Sequence, residues 1–205
     1  MTKYITEQEA MWAGDFGDAY VDRNVNSKIV AANIMLFSKI ISYTNNVRSV
    51  IEFGANIGLN LIAIRAILPH VELSAIEVNK KAYEELIKIE GVKAYNQSIL
   101  DFKPADKSDF VMVKGVLIHV NPLMLGNVYD LMYDMSRKYI LIAEYYNPSP
   151  VSVDYRGHKN MLFKRDFAGE MLDRFDNLKL VHYGFTYHRD NNCEFDDVNW
   201  FLLEK

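Results

Sequence analysis

Short apolar runs of two kinds alternate along this chain, and the alternation limits the folds open to it. Strand-like runs read "VRSVIEF" (47–53), "VELSAIEV" (71–78), a weaker one at 92–95, and "DFVMVKGVLIHV" (109–120), which carries a fourth. "KYILIAEYY" (138–146), "KLVHYGFTYHR" (179–189) and "DVNWFLLEK" (197–205) complete a set of seven. Between them lie segments of helical period. "SKIVAANIMLFSKIISYT" (27–44) has Ser27 as a candidate cap, and "GLNLIAIRAILP" is stopped by Pro69. "NKKAYEELIKIEG" is opened by Asn79 and closed by Gly91, and two more helices span 123–136 and 164–175. Apolar residues at three- and four-residue spacing give a helix one buried face, whereas continuous β-branched runs suit strands covered on both sides. Strands that alternate with helices of this length form βαβ units and a mostly parallel sheet. No helix separates the last two strands, so they pair antiparallel. The expected fold is α/β: a doubly wound, seven-stranded, mostly parallel sheet with an antiparallel last strand.

The chain has 205 residues, half of them apolar, enough for one sizeable core. It reads as a single domain, 1–205, with a helical cap over 1–46 and a Rossmann-like core over 47–205. A net charge of −4 gives no footprint for non-specific nucleic-acid binding. Cys193 is the one cysteine, which excludes an intramolecular disulfide framework and a thiolate metal cluster, so no metal is expected. The first twenty residues are acidic and lack the apolar stretch of a signal peptide, and no run approaches the roughly 20 apolar residues of a membrane span. The expectation is a cytoplasmic protein with no membrane partner. Its oligomeric state is not legible.

"VIEFGANIGLN" (50–60) joins the first strand to the next helix, where an open parallel sheet has its ligand crevice. Gly54 and Gly58 allow backbone to approach a ligand at a helix start whose free N–H groups attract negative charge. The segment "GANIGL" is not the dinucleotide G-x-G-x-x-G, and no Gly-Lys-Ser/Thr ending marks a P-loop. Glu52, just before the turn, repels a pyrophosphate but suits a ligand with an ammonium or sulfonium charge. Glu77, ending the second strand, is positioned to accept both hydroxyls of a ribose. Glu52 and Glu77 flanking a glycine turn fit S-adenosylmethionine better than NAD.

"VIEFGANIGLN" followed by "AIEVN" resembles the first motifs of class I S-adenosylmethionine-dependent methyltransferases. More narrowly, three blocks resemble the pseudaminic acid biosynthesis-associated methyltransferase family: "EQEAMWAGDFGDAYVDRN", "VLIHVNP" and "YILIAEYYNPSPVSVDYRGHKNMLFKRDFAGEML". The likeness runs from about residue 7 to 205. It implies the seven-stranded methyltransferase fold, S-adenosyl-L-methionine as cofactor, and a role near sialic-acid-like sugar pathways. On that basis Glu52, Gly54, Asn56 and Gly58 line the methionine half, with Glu77 on the ribose and Val78 beside the adenine. In "NQSILDF", Ser98 stands where relatives often carry an aspartate for the adenine amino group, with Ile99 stacking and Asp101 as the alternative acceptor. Lys114 is grouped with the cofactor residues, although its charge opposes a sulfonium unless it faces Glu52 or a substrate anion.

Trp12, Phe16 and Tyr20 recur at four-residue spacing, with Arg23 just beyond. The row is either core packing or a lid, because Gly14 and Gly17 interrupt a helix there. As a lid, Trp12, Tyr20 and Arg23 reach the cofactor, Tyr20 or Arg23 at its carboxylate, and aromatic faces suit a sulfonium. "AEYYNPSP" turns Glu144, Tyr145, Tyr146 and Asn147 toward the crevice. Arg156, His158, Lys159, Lys164 and Arg165 then form a basic stretch in an acidic chain, read as a loop that holds an anionic acceptor or as a solvated surface. His119, Glu144 and His158 are the candidate bases. The expected function is methyl transfer to a small anionic acceptor such as a sialic-acid-like sugar or nucleotide-sugar. Two others stay open: a non-catalytic S-adenosylmethionine-binding partner subunit, and methylation of tRNA or protein.

Overall fold

The computed structural model describes residues 4–23, 27–104, 106–193 and 195–205. The chain opens with α1 (Glu7–Ala13), α2 (Asp15–Arg23) and α3 (Ser27–Ile41), then β1 (Ser49–Phe53), α4 (Leu59–Ile67), β2 (Glu72–Glu77), α5 (Lys80–Leu86) and β3 (Val92–Asn96). It continues with β4 (Ser108–Lys114), two short 3₁₀ turns, α6 (Leu125–Met135), β5 (Ser136–Glu144), β6 (Val151–Tyr155), β7 (His158–Lys164), α7 (Phe167–Arg174), β8 (Lys179–Thr186) and β9 (Val198–Glu204). Seven strands form one sheet in the order β3-β2-β1-β4-β5-β9-β8. Pairings from β3 through β5 are parallel, and β9 runs antiparallel to both β5 and β8. The expected fold class holds. The reversed last strand is inserted between β5 and β8, one place in from the sheet edge.

Side chains alternate across the sheet as the two-residue strand period requires. Ile51, Phe53, Val111, Val113, Ile140 and Ile142 pack on one face with α6 and α7. Val50, Phe110, Met112, Tyr139 and Leu141 pack on the other with α3 and α4. Of residues 1–46, α3 therefore belongs to the packed layers, through Leu36, Phe37 and Ile40, while α1 and α2 lie over the cleft. The side chain of Ser27, with residues 24–26 before it, lies outside the described residues, and the capping expectation there with it. Asn79 caps α5 as expected, its side chain accepting from the Ala82 N–H.

Two local expectations change. Residues 151–164 are an antiparallel hairpin rather than a loop. Its two-residue turn is Arg156–Gly157, with φ of 49° and 86°. Both values are positive, the geometry of a type I′ hairpin turn that asparagine or aspartate before glycine usually signals, so arginine at the first position disguises it. Gly17 does not interrupt a helix either. It sits inside α2 because a Cβ there would lie 1.9 Å from the Trp12 carbonyl oxygen. The glycine lets α2 fold back on α1.

Candidate functional site

The order β3-β2-β1-β4-β5 reverses direction between β1 and β4. Ligand crevices of open parallel sheets form at such a crossover, beyond the carboxyl ends of the strands. A cleft of about 670 Å³ lies there, within the range of small-molecule sites.

The turn after β1 is built from alternate left-handed residues: Gly54 at φ 69°, Asn56 at 49° and Gly58 at 81°. Gly54 also has no room for a side chain, since a Cβ would lie 2.6 Å from a Val116 methyl. Gly58 stands behind the turn, where a Cβ would lie 2.4 Å from Ile89. Glu77 fixes the turn from the neighbouring strand. One of its oxygens accepts from the Asn56 N–H at 2.7 Å and the other from the Asn79 N–H at 2.7 Å. Burial raises its carboxyl above the usual range, and those N–H groups oppose the rise. Each oxygen still has a lone pair to offer a ligand, and Glu77 lies on the cleft wall with Val78 and Asn56. Ser98 and Ile99 line the same end of the cleft, while Asp101 is exposed and lies off it.

Glu52 sits behind the turn. It is fully buried, one oxygen accepts from the Asn60 amide at 2.5 Å, and the other has no partner. Burial pushes its carboxyl up to about 8, opposed by Asn60 and the positive charge of Lys114. Lys114, half-buried on the cleft wall, is held below the usual lysine range by the same desolvation, opposed by Glu52, Asp196 and Glu144. Glu144 is off the cleft. Its Oε1 accepts from the Val116 and Leu117 N–H groups at 2.9 and 2.8 Å, so it anchors the segment after β4, and burial raises it to about 7.

Helices α1 and α2 cover the opening. Trp12 meets Phe16 and Tyr20 edge-on, each at 5.2 Å, and tilts against His119 at 4.7 Å. Polar contacts latch the cover on both sides. The Asn79 amide donates to the Trp12 carbonyl and to Asp18, at 3.1 and 2.8 Å. On the other side the Gln8 amide donates to the Asn160 carbonyl of β7 at 2.9 Å and accepts from Asn121 at 3.2 Å. Tyr20 lines the cleft with Arg23, whose guanidinium lies 5.9 Å from the Tyr20 ring, and burial raises the Tyr20 phenol to about 12.

The hairpin brings Tyr155 and Arg156 to the cleft and holds His119, whose Nδ1 lies 2.6 Å from the Met161 carbonyl. Burial lowers His119 to about 4, so it is a neutral ring at neutral pH. Tyr145 lines the cleft too, with Asp196 against its hydroxyl.

The basic stretch is not gathered at the cleft. Of its residues only Arg156 lines it. Lys164 lies over the Tyr145 ring at 5.3 Å, and Arg165 is bonded to Glu170 at 2.7 Å. His158 is exposed, edge-on to Phe16 at 5.8 Å. Tyr146 packs on Phe201 and Asn147 bonds to the Ser149 carbonyl, both off the cleft. In a strand successive side chains point oppositely, so five basic residues between Arg156 and Arg165 cannot share one side. Gln8, Asn121, Tyr155 and Asp196 are cleft residues that sequence reasoning missed. The alternation "VSVDY" before Arg-Gly was the one signal for Tyr155, and none pointed to Asp196.

No family model and no curated protein matches this chain. Solved structures do. Magnesium protoporphyrin IX methyltransferase from Synechocystis PCC 6803 with bound SAM superposes with a TM-score of 0.69 at 11% identity, covering 100% of both chains. The 1,6-didemethyltoxoflavin-N1-methyltransferase of Burkholderia thailandensis, with S-adenosylhomocysteine, gives 0.71 at 13% over 100% of this chain and 93% of the other. A plantazolicin methyltransferase in complex with SAH gives 0.67 at 12% over 96% and 94%. The fold is the class I methyltransferase fold.

Proposed function

We propose that the cleft binds S-adenosyl-L-methionine and that the protein transfers its methyl group to a small acceptor. The observation that carries this reading is Glu77: a carboxylate at the end of β2, held by two backbone N–H groups, facing the cleft beside a glycine turn. The residues fit the cofactor and not a pyrophosphate. Glu77, held by two backbone N–H groups, faces the cleft beside the turn, and a carboxylate there opposes a pyrophosphate. The bound cofactor supplies an activated methyl on a sulfonium.

Around it, Glu77 accepts from the ribose hydroxyls, Ser98 and Ile99 take the adenine side, and the glycine turn admits the methionine half. Arg23 is available to the methionine carboxylate, with Trp12 and Tyr20 giving the sulfonium aromatic neighbours. The lid excludes water and fixes the acceptor at reacting distance, which is most of what such a displacement needs.

The acceptor is proposed to be anionic, a sialic-acid-like sugar or its nucleotide-activated form. Two things support it: the resemblance of residues 139–172 to the pseudaminic acid-associated family, and Arg156 at the cleft, whose planar guanidinium suits a carboxylate or phosphate. The composition reading of a cytoplasmic protein belongs to the same proposal. Among the described residues no helix is long and apolar enough to cross a membrane.

The test is a mass-spectrometric screen for S-adenosylhomocysteine release, with nine-carbon sugar acids, their CMP-linked forms and neutral sugars as acceptors. Release with the acidic members alone is the expected outcome. Release with neutral sugars alone removes Arg156 from acceptor recognition.

A further inference from the structure

The end of β4 carries a charged group whose surroundings leave it unused. Lys114 is half-buried on the cleft wall, with Glu52, Glu144 and Asp196 within electrostatic reach. Among the described residues its amine nonetheless makes no hydrogen bond and no ion pair. Glu52 and Glu144 each keep one buried oxygen without a partner as well. A partly desolvated amine with unmet hydrogen-bonding capacity is costly unless a ligand meets it.

Its level in the sheet identifies that ligand. Phe53 pairs with Val113 in the parallel β1–β4 register, so Lys114 is level with Gly54, the first residue of the glycine turn. The next residue, Gly115, has nothing within 4 Å of where a Cβ would stand, so the space beside Lys114 is open. The rings of Tyr145 and Tyr20 line the same cleft. An ammonium here repels a sulfonium, whereas a neutral amine does not. Desolvation favours the neutral form, and a cationic cofactor favours it further. The other candidate bases are worse situated. His119 is a weak base held through Nδ1, Glu144 is committed to two N–H groups behind the wall, and His158 is outside the cleft.

We propose that Lys114 contacts the acceptor atom and takes its proton, and that this atom is a hydroxyl oxygen. The inference rests on the cleft binding S-adenosylmethionine. The acceptor oxygen forms its bond to the methyl carbon as the carbon–sulfur bond breaks, the electron pair of that bond staying on sulfur. The hydroxyl proton passes to the Lys114 Nζ lone pair, giving the ammonium, which then loses it to solvent. An amine acceptor bearing its own ammonium would meet the sulfonium charge of the cofactor during binding, and once neutral it needs no base in the transfer. A hydroxyl does.

Two measurements test this without an acceptor in hand. Calorimetry with S-adenosylmethionine and S-adenosylhomocysteine should give dissociation constants for Lys114→Met within about threefold of wild type, while Lys114→Arg, a fixed cation, should weaken S-adenosylmethionine more than S-adenosylhomocysteine. A tenfold or greater weakening of both ligands in Lys114→Met makes Lys114 a cofactor ligand and overturns the inference. No binding to wild type overturns the cofactor reading itself, a separate outcome. Wild type reductively methylated with ¹³C-formaldehyde, with S-adenosylhomocysteine bound, should label at Lys114, and that amine should titrate below the surface lysines. Protection by S-adenosylhomocysteine, or titration with the surface lysines, contradicts it. With a hydroxyl acceptor from the screen, both variants should lose about 10²–10⁴-fold in kcat. Retained kcat, or turnover confined to amine acceptors, overturns it.

Discussion

The wall of the cleft made by β1, β2 and β4 and the cover made by α1, α2 and the β6–β7 hairpin hold their polar groups in different ways. On the wall, side chains clamp main chain: Glu77 takes the N–H groups of Asn56 and Asn79, and Glu144 those of Val116 and Leu117. The clamped segments lead straight out of buried core strands, so the wall cannot shift without disturbing the core. On the cover the bonds run between separate elements, Asn79 to Trp12 and Asp18, Gln8 to Asn160, Asn121 to Gln8. Between those latches it is packed by aromatic rings. Such a cover can open by breaking a few bonds. The difference teaches that the half of the cleft proposed for the cofactor is built as part of the fold, and the half proposed for the acceptor is added to it.

The sharpest way to break this contrast is to disturb the wall. Gly58→Ala combines a left-handed φ of 81° with a Cβ 2.4 Å from Ile89. Strain and overpacking together should cost about 2–5 kcal/mol of global stability, read from the urea midpoint. An unchanged midpoint would mean that the turn is not coupled to the core.

Next in size is Asn79→Ala, which removes the α5 cap and one latch together. The cap is worth about 0.5–2 kcal/mol, so the urea midpoint should fall modestly. Limited proteolysis should then cut between α1 and α2 long before the core. Equal protection of lid and core would show that the cover is as rigid as the wall.

The buried acids of the wall should give stability a pH slope. The folded carboxyl of Glu52 is raised to about 8, and that of Glu144 to about 7, above the ordinary 4.5. Between pH 4.5 and 8 the folded chain therefore holds more protons than the unfolded one, and these two groups make stability fall as pH rises. His119, lowered to about 4 from 6.5, acts oppositely below pH 6.5, where the unfolded chain binds the extra proton. Glu52→Gln should flatten the decline between pH 6.5 and 8, measured by urea melts at each pH. A slope identical to wild type would mean that Glu52 is ionised throughout.

What the sequence made legible follows the same division. Gly54, Glu77 and the Asn79 cap were readable because backbone geometry at a strand end demands particular residue types, and these leave a spaced pattern, whereas Glu52, read onto the cleft, lies buried behind the turn. The seven strands were readable because burial on both faces makes them continuous apolar runs. The hairpin was hidden because its strands are mostly exposed and its turn uses arginine where a small polar residue is expected. Asp196 reaches the cleft from the β8–β9 connection, far from the other site residues in sequence, and an isolated aspartate carries no local signal. The basic stretch misled because the hairpin carries residues close in sequence apart: Arg156, at its turn, reaches the cleft, while Arg165, just past β7, bonds to Glu170.

That divergence gives the smallest expected effect. Arg165→Ala should leave the acceptor KM unchanged and cost at most about 1 kcal/mol, since its ion pair is partly solvated. Arg156→Ala should raise that KM about tenfold, with lysine a poor substitute. Equal effects at the two positions would put the acceptor outside the cleft.

The central claim, that the wall is a site for S-adenosylmethionine with Glu77 at its ribose, is tested most directly by isothermal calorimetry with this cofactor and with NAD. The account expects one S-adenosylmethionine per chain, about tenfold or more weaker in Glu77→Gln because the ribose contact loses its charge, and no heat from NAD. Tight binding of NAD, or S-adenosylmethionine binding that Glu77→Gln leaves untouched, would contradict it.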